Sequence, residues 1–88
     1  MNKEIESLRE RIDEINNNFL SLLNEREKIC KEIGEIKEQN GLEVKDEKRE
    51  QEIMSKLREE AKGLDLDEEH VEKVFRLIIE NSRKVQEK

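Results

Sequence analysis

One heptad pattern dominates the sequence and predicts a helix too long for a chain of this size to cover. Apolar residues recur at alternating steps of three and four, at Ile5, Leu8, Ile12, Ile15, Phe19, Leu22, Ile29, Ile33 and Ile36. Such a seam is typical of a helix that packs along its length against another helix. It predicts one helix over residues 4–39, in which Arg26 is the only seam position that is not apolar.

The length of this helix predicts a second chain. A straight helix over residues 4–39 extends about 54 Å, whereas a compact globule of 88 residues has a diameter of about 30 Å. The seam continues along the part of the helix that extends beyond such a globule. Because only another chain can cover that surface, the sequence predicts an obligate homodimer.

Helix caps predict two further helices. Asn2 is a suitable N-cap for the first helix, and Gly41 can adopt the left-handed conformation that ends it. Asp46 and Asp67 are suitable N-caps for helices that extend to about residue 62 and about residue 87. We therefore expect an all-α fold with three helices per chain, in a single domain over residues 1–88.

Composition and charge exclude several classes of function. Charged residues make up 48% of the chain and the net charge is −6, and no basic stripe for nucleic acid is present. No apolar run approaches the ~20 residues of a membrane span and no signal peptide is found, which predicts a cytoplasmic protein that does not bind membranes. With one cysteine, Cys30, and no Cys/His cluster, we expect neither an internal disulfide nor a metal site.

Arg26 is the first candidate for a functional residue. An arginine in an apolar seam loses its hydration and needs an anionic partner. One interpretation is a polar residue that sets the register of the helix pair through an ion pair across the interface. The other is that the anion is a ligand.

Other polar residues also point inward, and together they favour a ligand. They are Arg9 and Lys37 beside the seam, Glu50 on the second helix, and Ser82 and Gln86, which continue the apolar face of the third. This set contains no convincing nucleophile–base pair, metal cluster or phosphate loop. It suits a small ligand with more than one carboxylate and with a hydroxyl that donates a hydrogen bond to Glu50. Any catalysis would be by positioning and electrostatics.

Arg9 predicts that the site is shared between chains. It lies about 42 Å from Lys37 along the first helix, too far to reach the same ligand. If two first helices pair antiparallel, Arg9 of one chain lies beside Arg26 and Lys37 of the other. The dimer would then hold two equivalent sites, each completed across the interface.

The sequence resembles a known family, the all-helical chorismate mutases of the intertwined-dimer type. The likeness covers essentially the whole chain and rests on these segments in order: Leu8-Arg9-Glu10-Arg11-Ile12-Asp13, Leu22-Leu23-Asn24-Glu25-Arg26, Ile33-Gly34-Glu35-Ile36-Lys37, Val44-Lys45-Asp46 with Arg49-Glu50, and Ile78-Ile79-Glu80-Asn81-Ser82 with Gln86. The resemblance implies the Claisen rearrangement of chorismate to prephenate, in the route to Phe and Tyr, without metal or cofactor. It also implies an intertwined antiparallel homodimer.

The resemblance further implies a role for each site residue. Arg26, together with Arg9 of the partner subunit, grips the substrate carboxylates. Lys37 contacts a carboxylate and the ether oxygen of the breaking bond, and Gln86 shares that oxygen. In this comparison Lys37, Gln86, Arg26 and Glu50 are the catalytic residues.

The remaining substrate-binding positions surround the ring and one carboxylate. The resemblance implies that Glu50 and the backbone at Asp46 hold the ring hydroxyl, that Ser82 contacts a carboxylate, and that Arg49 is a supporting cation. The chain departs from the family at Glu43, where Pro is common, so a looser first connection is expected.

Two other functions remain open from the sequence. One is a non-enzymatic helical dimerisation module, which would not need Lys37, Glu50, Ser82 and Gln86 to point inward together. The other is an isochorismate pyruvate lyase on the same scaffold, because a cationic pocket alone does not choose between related substrates.

Overall fold

The computed structural model describes residues 2–87 and contains three α-helices. They are α1 (Lys3–Gln39), α2 (Glu47–Gly63) and α3 (Glu68–Gln86), with no strand among the described residues. The predicted all-α class and the order of the helices are confirmed, and each predicted boundary lies within about one residue of the observed one. None of these helices has an apolar stretch long enough to cross a membrane.

Each helix begins at its predicted cap. The Asn2 side chain accepts hydrogen bonds from backbone N–H groups in the first turn of α1. Asp46 and Asp67 do the same at the starts of α2 and α3. These bonds satisfy amides that have no partner inside the helix.

The first two helices end in the same hydrogen-bonded turn. Gly41 has a φ of 65°, and the N–H of the next residue donates to the Lys37 carbonyl oxygen. After α2 the left-handed position is Asp65, with a φ of 56°, whereas Gly63 is still the last helical residue. The first turn follows from glycine, and the second uses the tolerance of Asp for this conformation.

The third helix holds the chain together. It packs against both α1 and α2, while the backbones of these two helices stay more than 8 Å apart. On α1 the buried residues are Cys30 and Gly34, and the half-buried ones include Arg26 and Lys37. The row of α1 that faces α3 therefore combines two small buried residues with two half-buried cations, and it is not the centre of the apolar seam.

The apolar seam of α1 remains exposed along its full length, including the part beside α3. Ile29 and Ile36 are 55% and 56% exposed, as much as Ile12 and Ile15 in the distant half of the helix. The chain measures 58 × 26 × 15 Å. Among the described residues the buried apolar side chains are Cys30, Ala61 and Ile79, which is too little for an independent core.

Gly34 brings α1 and α3 into direct backbone contact. A Cβ atom at this position would lie 2.7 Å from the carbonyl oxygen of Gln86 and 2.8 Å from its Cα atom. Both distances are shorter than a carbon atom tolerates, and the obstructing atoms belong to backbone. The absence of a side chain at Gly34 therefore sets how closely the end of α3 approaches α1.

We expect Gly34→Ala to lower the free energy of unfolding by about 1–3 kcal/mol, because the methyl group overpacks this contact. Gly63→Ala is the matched control, since a Cβ atom there meets nothing within 4 Å. That variant should gain about 0.5–1 kcal/mol from reduced chain entropy. Thermal unfolding at equal protein concentration measures both, and an unchanged or higher melting temperature for Gly34→Ala would contradict the contact.

Candidate active site

A cavity of about 290 Å³ lies between α1, α3 and the first turns of α2. Its volume is near the lower end of the range for small-molecule sites, which is about 300–1,000 Å³. All the site residues predicted from the sequence line it except Arg9; they are Arg26, Lys37, Asp46, Arg49, Glu50, Ser82 and Gln86. The folded chain thus collects side chains from all three helices around one space.

Lys37 joins two parts of the cavity wall. Its Nζ atom donates to the carbonyl oxygen of Val44 at 2.7 Å and to Oε1 of Gln86 at 2.9 Å. Val44 belongs to the connection after α1, and Gln86 is the last residue of α3. Because an ammonium has three N–H donors, one donor of Lys37 remains for a ligand.

Arg26 is held by Ser82. The guanidinium donates to Oγ of Ser82, and the Ser82 hydroxyl in turn donates to the Ile78 carbonyl oxygen at 2.9 Å. Among residues 2–87 no carboxylate forms an ion pair with Arg26. Within this chain most of its donors therefore remain for an anion, either a ligand or a carboxylate of a partner subunit.

The Ser82 hydroxyl has a single proton, and the Ile78 carbonyl accepts it. In this arrangement Ser82 orients Arg26 and presents no proton to the cavity. A direct contact with a substrate carboxylate would require the hydroxyl to rotate and release Ile78. Donation to Ile78 and donation to a substrate carboxylate therefore exclude each other at any one moment, whereas accepting from Arg26 is compatible with either.

Glu50 lies opposite the cations and is paired with Arg83 of α3. Nη2 of Arg83 donates to Oε1 of Glu50 at 3.3 Å, and Nε lies 3.0 Å from Oε2. The buried Nε–H does not point at that oxygen, so this second contact is ionic and is not a hydrogen bond. At the rim, Arg49 and Asp46 are exposed, and the Asp46 side chain caps α2.

The cavity is also lined by Arg83, Val44 and Cys30, which were not predicted as site residues. Arg83 follows Ser82 and precedes Gln86 by three residues, which places it at the edge of the face that turns inward. The spacing could therefore have identified Arg83 as a residue near the site. The contribution of Val44 is a backbone carbonyl in a connection, which side-chain patterns do not reveal.

Arg9 is exposed and lies outside this cavity, as the length of α1 predicts. A second, larger cleft of about 560 Å³ opens between α2 and α3. Its lining shares Glu50, Ile79 and Arg83 with the site but lacks Arg26 and Lys37. We assign the candidate site to the smaller cavity, because the cations without a carboxylate partner lie there.

Comparisons with known proteins show the family to which the chain is similar. The family described as chorismate mutase type II matches residues 8–87. A chorismate mutase from Methanocaldococcus jannaschii is 35% identical over 86 residues, which are 98% of this chain and 87% of that protein.

Longer relatives and a solved structure show the same similarity. The bifunctional chorismate mutase/prephenate dehydratase of Escherichia coli K12 is 34% identical over 86% of this chain, which spans 20% of that protein. A conserved hypothetical protein from Pyrococcus furiosus matches in structure with a TM-score of 0.76 and 30% identity, over 98% of this chain and 99% of that one. The chain, with its three helices and its cationic cavity, belongs to the chorismate mutase type II family.

Proposed function

We propose that this protein is a chorismate mutase, which rearranges chorismate to prephenate in a homodimer. The observation that carries the proposal is the geometry around Lys37. Its ammonium is fixed by Val44 and Gln86 in the wall of a cavity that Arg26 also lines. Arg26 and Lys37 are about 16 Å apart along the helix, and two such cations fit a substrate with two carboxylates.

The reaction matches the chemistry that these residues offer. In the Claisen rearrangement a C–O bond of the enol ether breaks while a C–C bond forms within the same molecule. No proton, group or electron leaves the substrate, so the enzyme needs neither a nucleophile nor a general base. What accelerates the step is restraint of the reactive conformation and stabilisation of the charge that develops on the ether oxygen.

Lys37 and Gln86 supply that stabilisation. Lys37 attracts a substrate carboxylate through its charge, and its remaining N–H donates to the ether oxygen as the bond breaks. Because Oε1 of Gln86 already accepts from Lys37, the amide NH₂ group of Gln86 is left to donate to the same oxygen. Their mutual hydrogen bond orients both donors before the substrate arrives, which reduces reorganisation during the reaction.

The other residues bind the substrate. Arg26 holds one carboxylate, with Ser82 supporting its guanidinium, and Arg49 adds positive charge at the rim. Glu50 accepts a hydrogen bond from the ring hydroxyl, and the backbone at Asp46 also holds that hydroxyl. These roles follow the family resemblance, and the position of each side chain in the cavity wall supports them.

The homodimer is proposed from the exposed seam and from Arg9. Apolar side chains remain uncovered along the full length of α1, a larger apolar surface than a monomer normally exposes. Antiparallel pairing of two such helices would cover this surface and bring Arg9 of the partner subunit to the cavity. The single-domain assignment and the cytoplasmic location stay predictions, and cell fractionation tests the latter.

The two alternatives are less well supported. A dimerisation module does not require Arg26, Lys37 and Gln86 to converge on a cavity. An isochorismate pyruvate lyase would release pyruvate, whereas the family and the archaeal relative are both described as chorismate mutase. Prephenate as the only product of chorismate would identify the mutase. Release of pyruvate from isochorismate would identify the lyase, and no reaction of either compound the dimerisation module.

Lys37→Ala should lower kcat by about a hundredfold or more, because loss of one donor to developing charge costs about 2.7–4 kcal/mol. The assay follows the loss of chorismate absorbance, with prephenate identified as the product. Lys28→Ala is the matched control, since Lys28 is an exposed lysine of the same helix that does not line the cavity. Full activity of a folded Lys37→Ala variant would exclude the mechanism.

Mixed dimers test the shared site. An inactive Arg9→Ala chain and an inactive Lys37→Ala chain are mixed and allowed to exchange subunits. Each heterodimer then has one site with both lesions and one with neither. About half of the dimers are mixed, so activity should return to roughly a quarter of the wild-type level.

The control for this experiment is a mixture of Arg26→Ala and Lys37→Ala chains. Both residues line the cavity of their own chain, so every site in that heterodimer keeps one lesion and activity should not return. Native mass spectrometry of the intact dimers confirms the exchange. If the first mixture stays inactive after exchange, each site is not completed by Arg9 of the other chain.

A further inference from the structure

Arg83 forms one of two ion pairs that connect α2 to α3. It contacts Glu50 at 3.0 Å and 3.3 Å, in the wall of the candidate site. The other pair joins Arg58 and Glu72 at 2.8 Å. Arg58 lines the larger cleft and does not line the site, so the two pairs have similar chemistry and different surroundings.

The Arg83–Glu50 pair separates the site from the larger cleft, because both residues line both spaces. Each side chain is half-buried, at 35% and 23% exposure. An unpaired carboxylate at this depth would be poorly hydrated and would repel an anionic ligand on the other side of the cavity. Without a cationic partner, Glu50 would therefore weaken the binding of a ligand with two carboxylates.

Arg83 offsets the charge of Glu50 and still leaves its carboxylate able to accept a hydrogen bond. A carboxylate has about four lone-pair positions, and one of them receives the aligned hydrogen bond from Nη2 of Arg83. The ionic contact of Nε with Oε2 holds the second oxygen without an aligned hydrogen bond. The carboxylate is thus oriented and its charge is offset, while lone pairs remain for a hydroxyl.

We infer that Arg83 is a positioning residue that makes Glu50 usable in a site for a dianion. It fixes the carboxylate as acceptor of the substrate hydroxyl and offsets the repulsion between Glu50 and the substrate carboxylates. The inference rests on the proposed function and assigns a role to a residue outside the set implied by the family resemblance. It requires no contact between Arg83 and the substrate.

The test compares Arg83→Met with Arg58→Met, each of which breaks one ion pair between the same two helices. We expect Arg83→Met to raise KM for chorismate about tenfold or more, as loss of one partner of a half-buried pair leaves the other charge uncompensated. Arg58→Met should leave KM within about twofold of the wild type, because that pair lies outside the site and Glu72 keeps Arg76 as a partner. Melting temperatures of both variants show how much each pair stabilises the fold.

A double variant separates positioning from direct binding. If the unpaired charge of Glu50 causes the defect, Arg83→Met/Glu50→Gln should have a lower KM than Arg83→Met alone. If Arg83 itself binds a carboxylate of the substrate, the KM of the double variant should be no lower than that of Arg83→Met. Arg83→Lys retains the charge without the planar fork and should have an intermediate KM; it replaces Arg83→Met if that variant does not fold.

Two different results overturn the inference. Equal KM changes in Arg83→Met and Arg58→Met, or a double variant with no recovery, would reduce Arg83 to a link between helices or to a substrate ligand, with the proposed function intact. An inactive wild-type protein would instead overturn the proposed function, and the inference with it.

Discussion

Two helix backbones meet at Gly34 without a side chain between them, and the shape of the cavity depends on how closely they meet. At this point the last turn of α3 lies against α1, and the distance leaves no room for a Cβ atom. The same turn carries Gln86, whose amide oxygen reaches Lys37 at 2.9 Å. A wider separation of the helices would part these two groups, so a steric fact about one glycine determines a polar contact at the site.

Hydrogen bonds to α3 and to the connection after α1 hold the two cations of the site. Lys37 ties the connection after α1 to the end of α3, and Ser82 ties Arg26 to the α3 backbone. Both cations are therefore held by groups that carry no net charge. Their positive charge is not neutralised within the described chain, which is the electrostatic condition for binding an anion.

Much of the fold could be predicted because its signals are local. Asn2, Asp46 and Asp67 cap helices through hydrogen bonds to amides two or three residues away, and Gly41 ends α1 through its own backbone freedom. The left-handed Asp65 was not predicted, since Asp tolerates this conformation without requiring it. The inward direction of Glu50, Ser82 and Gln86 followed from helical spacing, which also fixes the face on which each side chain lies.

Other features depend on contacts that spacing does not encode. The pairing of Arg83 with Glu50 depends on the rotation of α2 relative to α3. The Val44 carbonyl reaches Lys37 only because the connection folds back on α1. The face that α1 presents to α3 was also not foreseen: heptad periodicity identifies an apolar seam but does not say whether the same chain or another covers it.

The exposed seam of α1 has a consequence for the heat capacity of the protein. A positive heat-capacity change on unfolding arises chiefly when buried apolar surface becomes hydrated. Few large apolar side chains of the described chain are buried within it, while the seam from Ile5 to Ile36 is open. In the proposed homodimer the heat-capacity change would therefore come mainly from the surface buried between the two seams, and a separated chain would unfold over a broad temperature range with a small enthalpy.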